Sequence, residues 1–140
     1  MVGALLGIAG LVYSVLGLLH AVFTFLDERN PRRLAPDDPA VTAAMQTSTL
    51  RLSRGATTMW QAWISFNFTH SLAALMLGAA CFIVAACFRA FAFPPVALFA
   101  LAGVSLLIAA IGLRYWFGVP RAGTLVATAC LVAAWLLYAF

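Results

Sequence analysis

The longest apolar stretch, residues 58–88, reads TMWQAWISFNFTHSLAALMLGAACFIVAACF and decides the fold. It contains no charged residue and is long enough to cross the roughly 30 Å hydrocarbon core of a bilayer with some tilt. Its polar side chains are confined to the first half, where Asn67 and His70 follow Trp60 and Trp63 at helical spacing. Polar side chains at membrane depth are costly, and they mark a functional site by default.

Three further stretches share this apolar character, at about residues 3–28, 94–117 and 123–140. Apolar residues make up 65% of the chain, and they form continuous runs rather than the alternating pattern of barrel strands. In lipid, only helices and closed barrels satisfy the backbone hydrogen bonds. The sequence therefore predicts an all-α integral membrane four-helix bundle, with residues 1–140 forming a single transmembrane domain. The first stretch has no basic n-region and no cleavage site, so we expect a retained helix.

The only long connection, residues 27–57, joins the first two spans and holds every acidic residue. Prolines interrupt its start, whereas Asp38 followed by Pro39 is typical of an N-cap and first helical turn, and Gly55 of a stop. We expect a short interfacial helix at about residues 39–54, the alternative being a solvated loop. Because the apolar part of the first span ends at about Leu26, before Asp27, no acid lies within the apolar parts of the spans, which argues against proton-coupled pumping and against acid-driven terpenoid cyclisation.

The arginines predict the orientation. Seven of the eight lie on the side of the long connection, and only Arg89 lies on the other side. The positive-inside rule places the long connection in the cytoplasm and both termini outside. We take the membrane to be the inner membrane of a bacterium. The arginines sit at span ends and in one loop rather than in a basic patch, so the composition does not indicate nucleic-acid binding.

The first span carries a polar and small stripe with the same rhythm as the one in residues 58–88. Its members step by three and four along the helix: Gly10, Tyr13, Gly17, His20, Thr24 and Asp27. Gly3, Gly7 and Gly10 also give this helix a face suited to close helix packing. Two matched stripes predict two facing helices. Counted from the helix ends, His20, Asn67 and His70 would lie at similar depths, about 13 to 18 Å at 1.5 Å per residue.

These three side chains are the candidate catalytic residues. We expect His20 and His70 to act as a proton-handling or ligating pair and Asn67 to orient them. The candidate ligand-binding residues line the same stripes or overhang them from the loop: Tyr13, Thr24, Trp60, Trp63, Ser71, Arg51 and Arg54. No Ser/His/Asp, HExxH or Gly-rich phosphate motif is present. Two histidines are also too few to close a zinc site, so no metal ligands are assigned.

The leading hypothesis is a membrane protein whose cytoplasm-facing His/Asn/Trp pocket binds, and chemically alters, a lipid-soluble small molecule. The first alternative is a non-catalytic subunit of a larger membrane complex, or a protein that assembles with itself. The second is an electron carrier with a haem b held by His20 and His70. The plainest alternative is that His20, Asn67 and His70 only join helices by hydrogen bonds worth about 0.6 kcal/mol each. Whether the protein is an enzyme stays open.

One family resemblance rests on the first 75 residues. A Gly-x-x-His ends the first span, Pro-Asp-Asp-Pro opens an Ala-, Met- and Arg-rich stretch, and Trp-x-x-Trp-x-x-Phe-Asn-x-x-His-Ser follows. This pattern resembles a group of small bacterial four-span membrane proteins, and the resemblance implies no particular activity. The resemblance implies that these residues form one unit.

Overall fold

The computed structural model describes residues 1–88 and 94–139. The turn expected at residues 89–93 and the last residue of the fourth span lie outside this range. The described chain is helical, with elements in the order α1 (Val2–Arg29), α2 (Pro39–Thr47), a 3-10 turn (Arg51–Ser53), α3 (Met59–Cys87), α4 (Pro95–Tyr115) and α5 (Gly118–Ala139). By length and composition, α1, α3, α4 and α5 can each cross a membrane. The predicted class, an all-helical multi-pass membrane protein, is confirmed at this level.

The fourth span begins earlier than expected. The sequence predicted a turn over residues 118–122, but α5 begins at Gly118, and only Trp116 and Phe117 separate it from α4. Pro120 is compatible with this start because the first turn of a helix needs no N–H donor from its own residues. The N–H of Arg121 donates to the carbonyl of Phe117 at 3.3 Å and closes the first turn.

The helix expected over residues 39–54 is interrupted. Asp38 caps α2 by accepting a hydrogen bond from the N–H of Ala40 at 2.8 Å, and Pro39 occupies the first turn. The helix ends at Thr47, after which Ser48 adopts extended backbone. The expected short helix is therefore present from Pro39 but does not continue to residue 54.

A tight reversal follows α2. The N–H of Leu50 donates to the carbonyl of Thr57 at 3.0 Å, across a loop that contains the 3-10 turn. Arg54 and Gly55 take positive φ angles of 51° and 92°. Only glycine adopts such an angle without steric cost, which explains why Gly55 stands where the chain turns back toward α3.

The helices divide into two compact units. The four-helix unit contains residues 1–16 and 74–140, and the loop unit contains residues 17–73. The core of the four-helix unit draws buried side chains from all four spans: Leu6, Ala9, Tyr13, Leu77, Cys81, Val84, Leu98, Ala102, Ala127, Leu131 and Ala134. Within this unit, Gly10 and Gly78 allow α1 and α3 to approach closely. A Cβ added at Gly78 would lie 2.9 Å from the carbonyl oxygen of Gly10.

A chain of buried hydroxyl groups crosses the four-helix unit. The hydroxyls of Tyr13 and Ser105 are 2.6 Å apart, and those of Ser105 and Thr128 are also 2.6 Å apart. These bonds join α1, α4 and α5. One turn before Thr128, the buried hydroxyl of Thr124 has no hydrogen-bond partner among the described residues. Buried polar atoms are usually paired, so Thr124 is an energetic weakness of this unit.

Candidate functional site

The loop unit brings His20 of α1 against Asn67 of α3. The Nε2 atom of His20 lies 2.8 Å from Oδ1 of Asn67. Asn67 is only 4% exposed, and His20 is half-buried. The helical spacing of the two stripes thus brings together two polar side chains that are 47 residues apart in sequence. We call His20, Asn67 and His70 the histidine cluster.

The orientation of Asn67 sets the direction of this hydrogen bond. Its Nδ2 group donates to the carbonyl of Trp63, one turn earlier in α3, at 2.8 Å. The amide nitrogen therefore faces the backbone and Oδ1 faces His20. Because Oδ1 can only accept, Nε2 of His20 is the donor, and in the neutral imidazole Nδ1 carries the lone pair. Asn67 thus joins His20 to the backbone of α3.

His70 completes the cluster by ring contacts. The imidazoles of His20 and His70 pack edge to face, with centroids 5.2 Å apart and an interplanar angle of 62°. On its other side His70 stacks on Phe66, with centroids 6.1 Å apart. Phe66 is 62% exposed, so the cluster extends from the α1–α3 contact to the outer surface of α3.

The two tryptophans differ in environment. Trp60 is buried, whereas Trp63 is 37% exposed and its indole N–H donates to the carbonyl of Leu34 at 3.1 Å. Trp63 therefore contacts the α1–α2 connection. The ring that directly contacts the histidine pair is that of Phe66.

Two other candidate residues bond to their own helices. The hydroxyl of Thr24 donates to the carbonyl of His20, and that of Ser71 donates to the carbonyl of Asn67, both at 2.8 Å. Both side chains are buried. They adjoin the cluster, and their hydroxyls are used by the helix backbone, as is common for these residue types in membrane helices.

The remaining candidates, Tyr13, Arg51 and Arg54, have other surroundings. The hydroxyl of Tyr13 belongs to the hydrogen-bonded chain with Ser105 in the four-helix unit. Arg51 begins the 3-10 turn and Arg54 follows it, both with exposed side chains. The hydrogen bonds of His20 and Asn67 involve neither arginine.

The most densely bonded side chain of the loop unit is Asp27, in the last turn of α1. Its carboxylate accepts from the backbone N–H groups of Arg33 at 2.9 and 3.1 Å, Leu34 at 2.6 Å and Ala35 at 3.2 Å. Asp27 is fully buried. We call this arrangement the Asp27 latch, because it ties residues 33–35 to the end of the helix that carries His20.

The latch is linked to the histidine cluster through hydrogen bonds. Leu34 donates its N–H to Asp27 and accepts from the indole of Trp63. The carbonyl of Trp63 in turn accepts from Asn67, which is bonded to His20. These hydrogen bonds form a continuous path that begins at His20, passes through α3 and Leu34 of the connection, and ends at Asp27, two turns after His20 in α1.

Two features of this site were missed in the sequence. The first is the role of Asp27, which lies with Glu28 in the last turn of α1. Asp27 lay on the polar stripe, but its partners are backbone amides, which leave no mark in a sequence. Phe66 could have been found, since it lies four residues before His70 and therefore on the same face of the helix.

An open groove lies on the other flank of α3. Its volume is about 480 Å³. The groove is lined by one residue of α1 and six of α3: Glu28, Trp60, Gln61, Ile64, Ser65, Phe68 and Thr69. One of its polar residues, Gln61, is used locally, since it forms a reciprocal capping box with Thr58 at the start of α3. No member of the histidine cluster lines the groove.

A haem b does not fit between the two histidines as they are arranged. Bis-histidine ligation requires one imidazole nitrogen on each face of the macrocycle. Here the two rings touch each other, and Nε2 of His20 is bonded to Asn67. Within residues 1–88 and 94–139, no group of three or more His, Cys, Asp or Glu could hold a metal ion.

Fold and site together define a class, a multi-pass α-helical membrane protein with a histidine–asparagine cluster between two of its helices. Comparison with protein-family models, with curated proteins and with solved structures finds no match. Any assignment of function must therefore come from the site itself.

Proposed function

We propose that the histidine cluster binds a lipid-soluble small molecule and exchanges a proton with it. The observation that carries this proposal is the 2.8 Å bond between Nε2 of His20 and Oδ1 of Asn67, with the amide held by the carbonyl of Trp63. The bond fixes the tautomer of a histidine inside a membrane span. A histidine with a fixed tautomer is suited to act as a general base or as an acceptor for a ligand hydroxyl.

The position of the cluster supports a ligand that arrives from the bilayer. His20 and His70 are half-buried, and the exposed ring of Phe66 stacks on His70. This edge of the cluster presents aromatic surface around imidazole nitrogens. A flat or isoprenoid molecule with a hydroxyl or carbonyl group matches it, since its apolar body packs on rings and its polar group meets an imidazole.

The roles of the three residues follow from their contacts. Nδ1 of His20 accepts the ligand proton, and the bond from Nε2 to Asn67 stabilises the resulting imidazolium, because Nε2–H then donates from a cation. Asn67 keeps the ring in place. His70 packs against His20 and Phe66 and orients the ligand. A purely structural role for the same residues is the competing explanation.

Ligand content and stability, measured on the same samples, separate the two explanations. His20→Gln and Asn67→Leu are purified in detergent beside the wild type and Ser65→Ala, a matched control on the exposed face of α3. Mass spectrometry of organic extracts measures the bound molecule. We expect at least about a tenfold loss of ligand in the first two variants, equivalent to about 1.4 kcal/mol, with little change in thermal midpoint. Unchanged ligand content, or a large fall in the midpoint with no ligand in any sample, would refute the proposal.

The accessory-subunit alternative relied on the glycine face of α1. The packing of α1 on α3 within this chain accounts for a glycine at position 10, because a Cβ there would lie 3.1 Å from the carbonyl oxygen of Gly78. Gly7 has open space where a Cβ would be, but a single small residue does not identify a partner. The histidine cluster therefore supports the ligand-binding proposal better than the glycines support a subunit.

We further propose that the α1–α3 connection faces the cytoplasm of a bacterium, on the strength of the arginine distribution. Labelling of Ala43→Cys tests this orientation, because Ala43 is exposed on α2. In a variant without the three native cysteines, membrane-impermeant thiol reagents should not label it in intact cells. Ready labelling would reverse the orientation.

A further inference from the structure

One arginine of the loop unit, Arg33, contacts a ring that neighbours His20 on α1. The guanidinium carbon of Arg33 lies 5.5 Å from the ring centre of Phe23. Phe23 is three residues after His20, so the two side chains are neighbours on one face of α1. Arg33 is adjacent to Leu34, whose carbonyl accepts from Trp63 of α3. These contacts place the guanidinium over a ring next to His20 on α1, and at one residue from the position that bonds to Trp63 of α3.

The position of Arg33 is set by its backbone. Its N–H is bonded to both oxygens of Asp27, and the next two N–H groups are bonded to the same carboxylate. The carboxylate of Asp27 is therefore engaged by backbone amides. The guanidinium instead lies on an aromatic face, where its N–H donors can still reach an anion in the plane of the group.

We propose that Arg33 is the headgroup subsite of the ligand, and that the ligand is an anionic lipid with a phosphate or phosphodiester group. This inference rests on the proposed function, since it names the class of molecule that the histidine cluster receives. The headgroup pairs with Arg33 at the membrane interface, and the apolar body runs past Phe23 and Phe66 toward the imidazoles. Charge complementarity selects the lipid, because an arginine fork binds phosphate oxygens in two-point contacts.

The other arginines near the end of α1 provide matched controls. The guanidinium of Arg29 also lies over a phenylalanine, with its carbon 5.0 Å from the ring centre of Phe25. Phe25 is two residues from Phe23 and so points to a different side of the helix. Arg32 is exposed and adjacent to Arg33 in sequence. Removing either charge changes the net charge of this region as much as removing Arg33, but leaves the proposed subsite in place.

The test uses the full chain in nanodiscs that contain equal amounts of a phosphatidylglycerol and a phosphatidylcholine with identical acyl chains. Native mass spectrometry counts the lipids that stay bound after the disc is removed. We expect the wild type to retain phosphatidylglycerol in preference, and Arg33→Gln to lose about tenfold of that preference, as for one charge-assisted hydrogen bond. Arg29→Gln and Arg32→Gln should stay within about twofold of wild type.

Three results would overturn the inference. Retained preference in Arg33→Gln would mean that this residue does not bind the headgroup. Equal losses in all three arginine variants would indicate diffuse attraction of charge. Binding of inorganic phosphate at Arg33, together with equal retention of the two lipids by the wild type, would identify free phosphate rather than a lipid headgroup as the ligand.

His20→Gln, measured alongside, keeps the two proposals distinguishable. If the headgroup subsite is right and proton exchange at the cluster is wrong, His20→Gln keeps its extracted ligand while Arg33→Gln still loses phosphatidylglycerol. If the cluster binds the ligand but Arg33 does not bind the headgroup, His20→Gln loses its extracted ligand while Arg33→Gln keeps its preference for phosphatidylglycerol. Thermal midpoints of all variants identify any that fail to fold.

Discussion

The Asp27 latch predicts a local change that can be measured in residues 33–35. Asp27→Asn keeps the size and shape of the side chain but removes its charge. In the wild type, Oδ2 accepts N–H groups from Arg33, Leu34 and Ala35, and Oδ1 accepts a second contact from Arg33. An asparagine can present one oxygen to the three amides. Its NH₂ group would then face the N–H of Arg33, from which it cannot accept a hydrogen bond.

The magnitude follows from the number of bonds and their type. Hydrogen bonds to charged groups are worth about 1.5 to 3 kcal/mol, against about 0.5 to 1.5 kcal/mol for neutral pairs. In Asp27→Asn, three hydrogen bonds are weakened and one contact is lost. Part of this free energy is recovered because the opened amides form hydrogen bonds with water. We therefore expect the free energy of opening residues 33–35 to fall by about 2 kcal/mol, which corresponds to about 30-fold faster opening-limited exchange.

Hydrogen exchange with mass spectrometry measures this directly on peptides that cover the connection. Exchange of the amides of residues 33–35 should accelerate, whereas amides of the four-helix unit should not change, because the opening is local. Glu28→Gln is the control, since it removes the neighbouring exposed charge of α1. Unchanged exchange in Asp27→Asn, or equal acceleration in Glu28→Gln, would refute the account of the latch.

Two further predictions concern the four-helix unit. Gly78→Ala should lower stability by about 1 to 3 kcal/mol, because its Cβ would lie 2.9 Å from the Gly10 carbonyl oxygen. In Gly103→Ala, where the Cβ meets nothing within 4 Å, the thermal midpoint should rise or stay the same, and a similar fall in both variants would contradict the packing argument. Thr124→Val should raise stability by about 1 kcal/mol, since it removes a buried hydroxyl that has no partner among the described residues. A lower thermal midpoint in Thr124→Val would mean that the hydroxyl of Thr124 has a hydrogen-bond partner in the wild type.

The sequence by itself determined the class of the protein. Four continuous apolar runs indicated four membrane-crossing helices, and α4 begins at Pro95, close to the expected residue 94. Helical spacing also put Asn67 and His70 on one face of α3 and His20 on a matching face of α1. These features are local, because the preference of a run for lipid and the periodicity of a helix depend only on neighbouring residues.

Tertiary structure decided which of the striped residues meet. Tyr13 and His20 share one stripe, but the first bonds to Ser105 in the four-helix unit and the second to Asn67 in the loop unit. Spacing assigns a residue to a helix face, but the partner at each level depends on how the helices are rotated and tilted against each other.

The Asp27 latch could be seen only in the fold. The partners of its carboxylate are the backbone N–H groups of three consecutive residues, and every residue except proline has such a group. The sequence therefore cannot distinguish the amides that are used from those that are not. The same holds for Arg33, which lies beside Phe23 only because Asp27 holds the backbone of the connection against α1. That Arg51 and Arg54 overhang the pocket stays a prediction, because loop position fixes the charge of a segment but not the direction in which it folds.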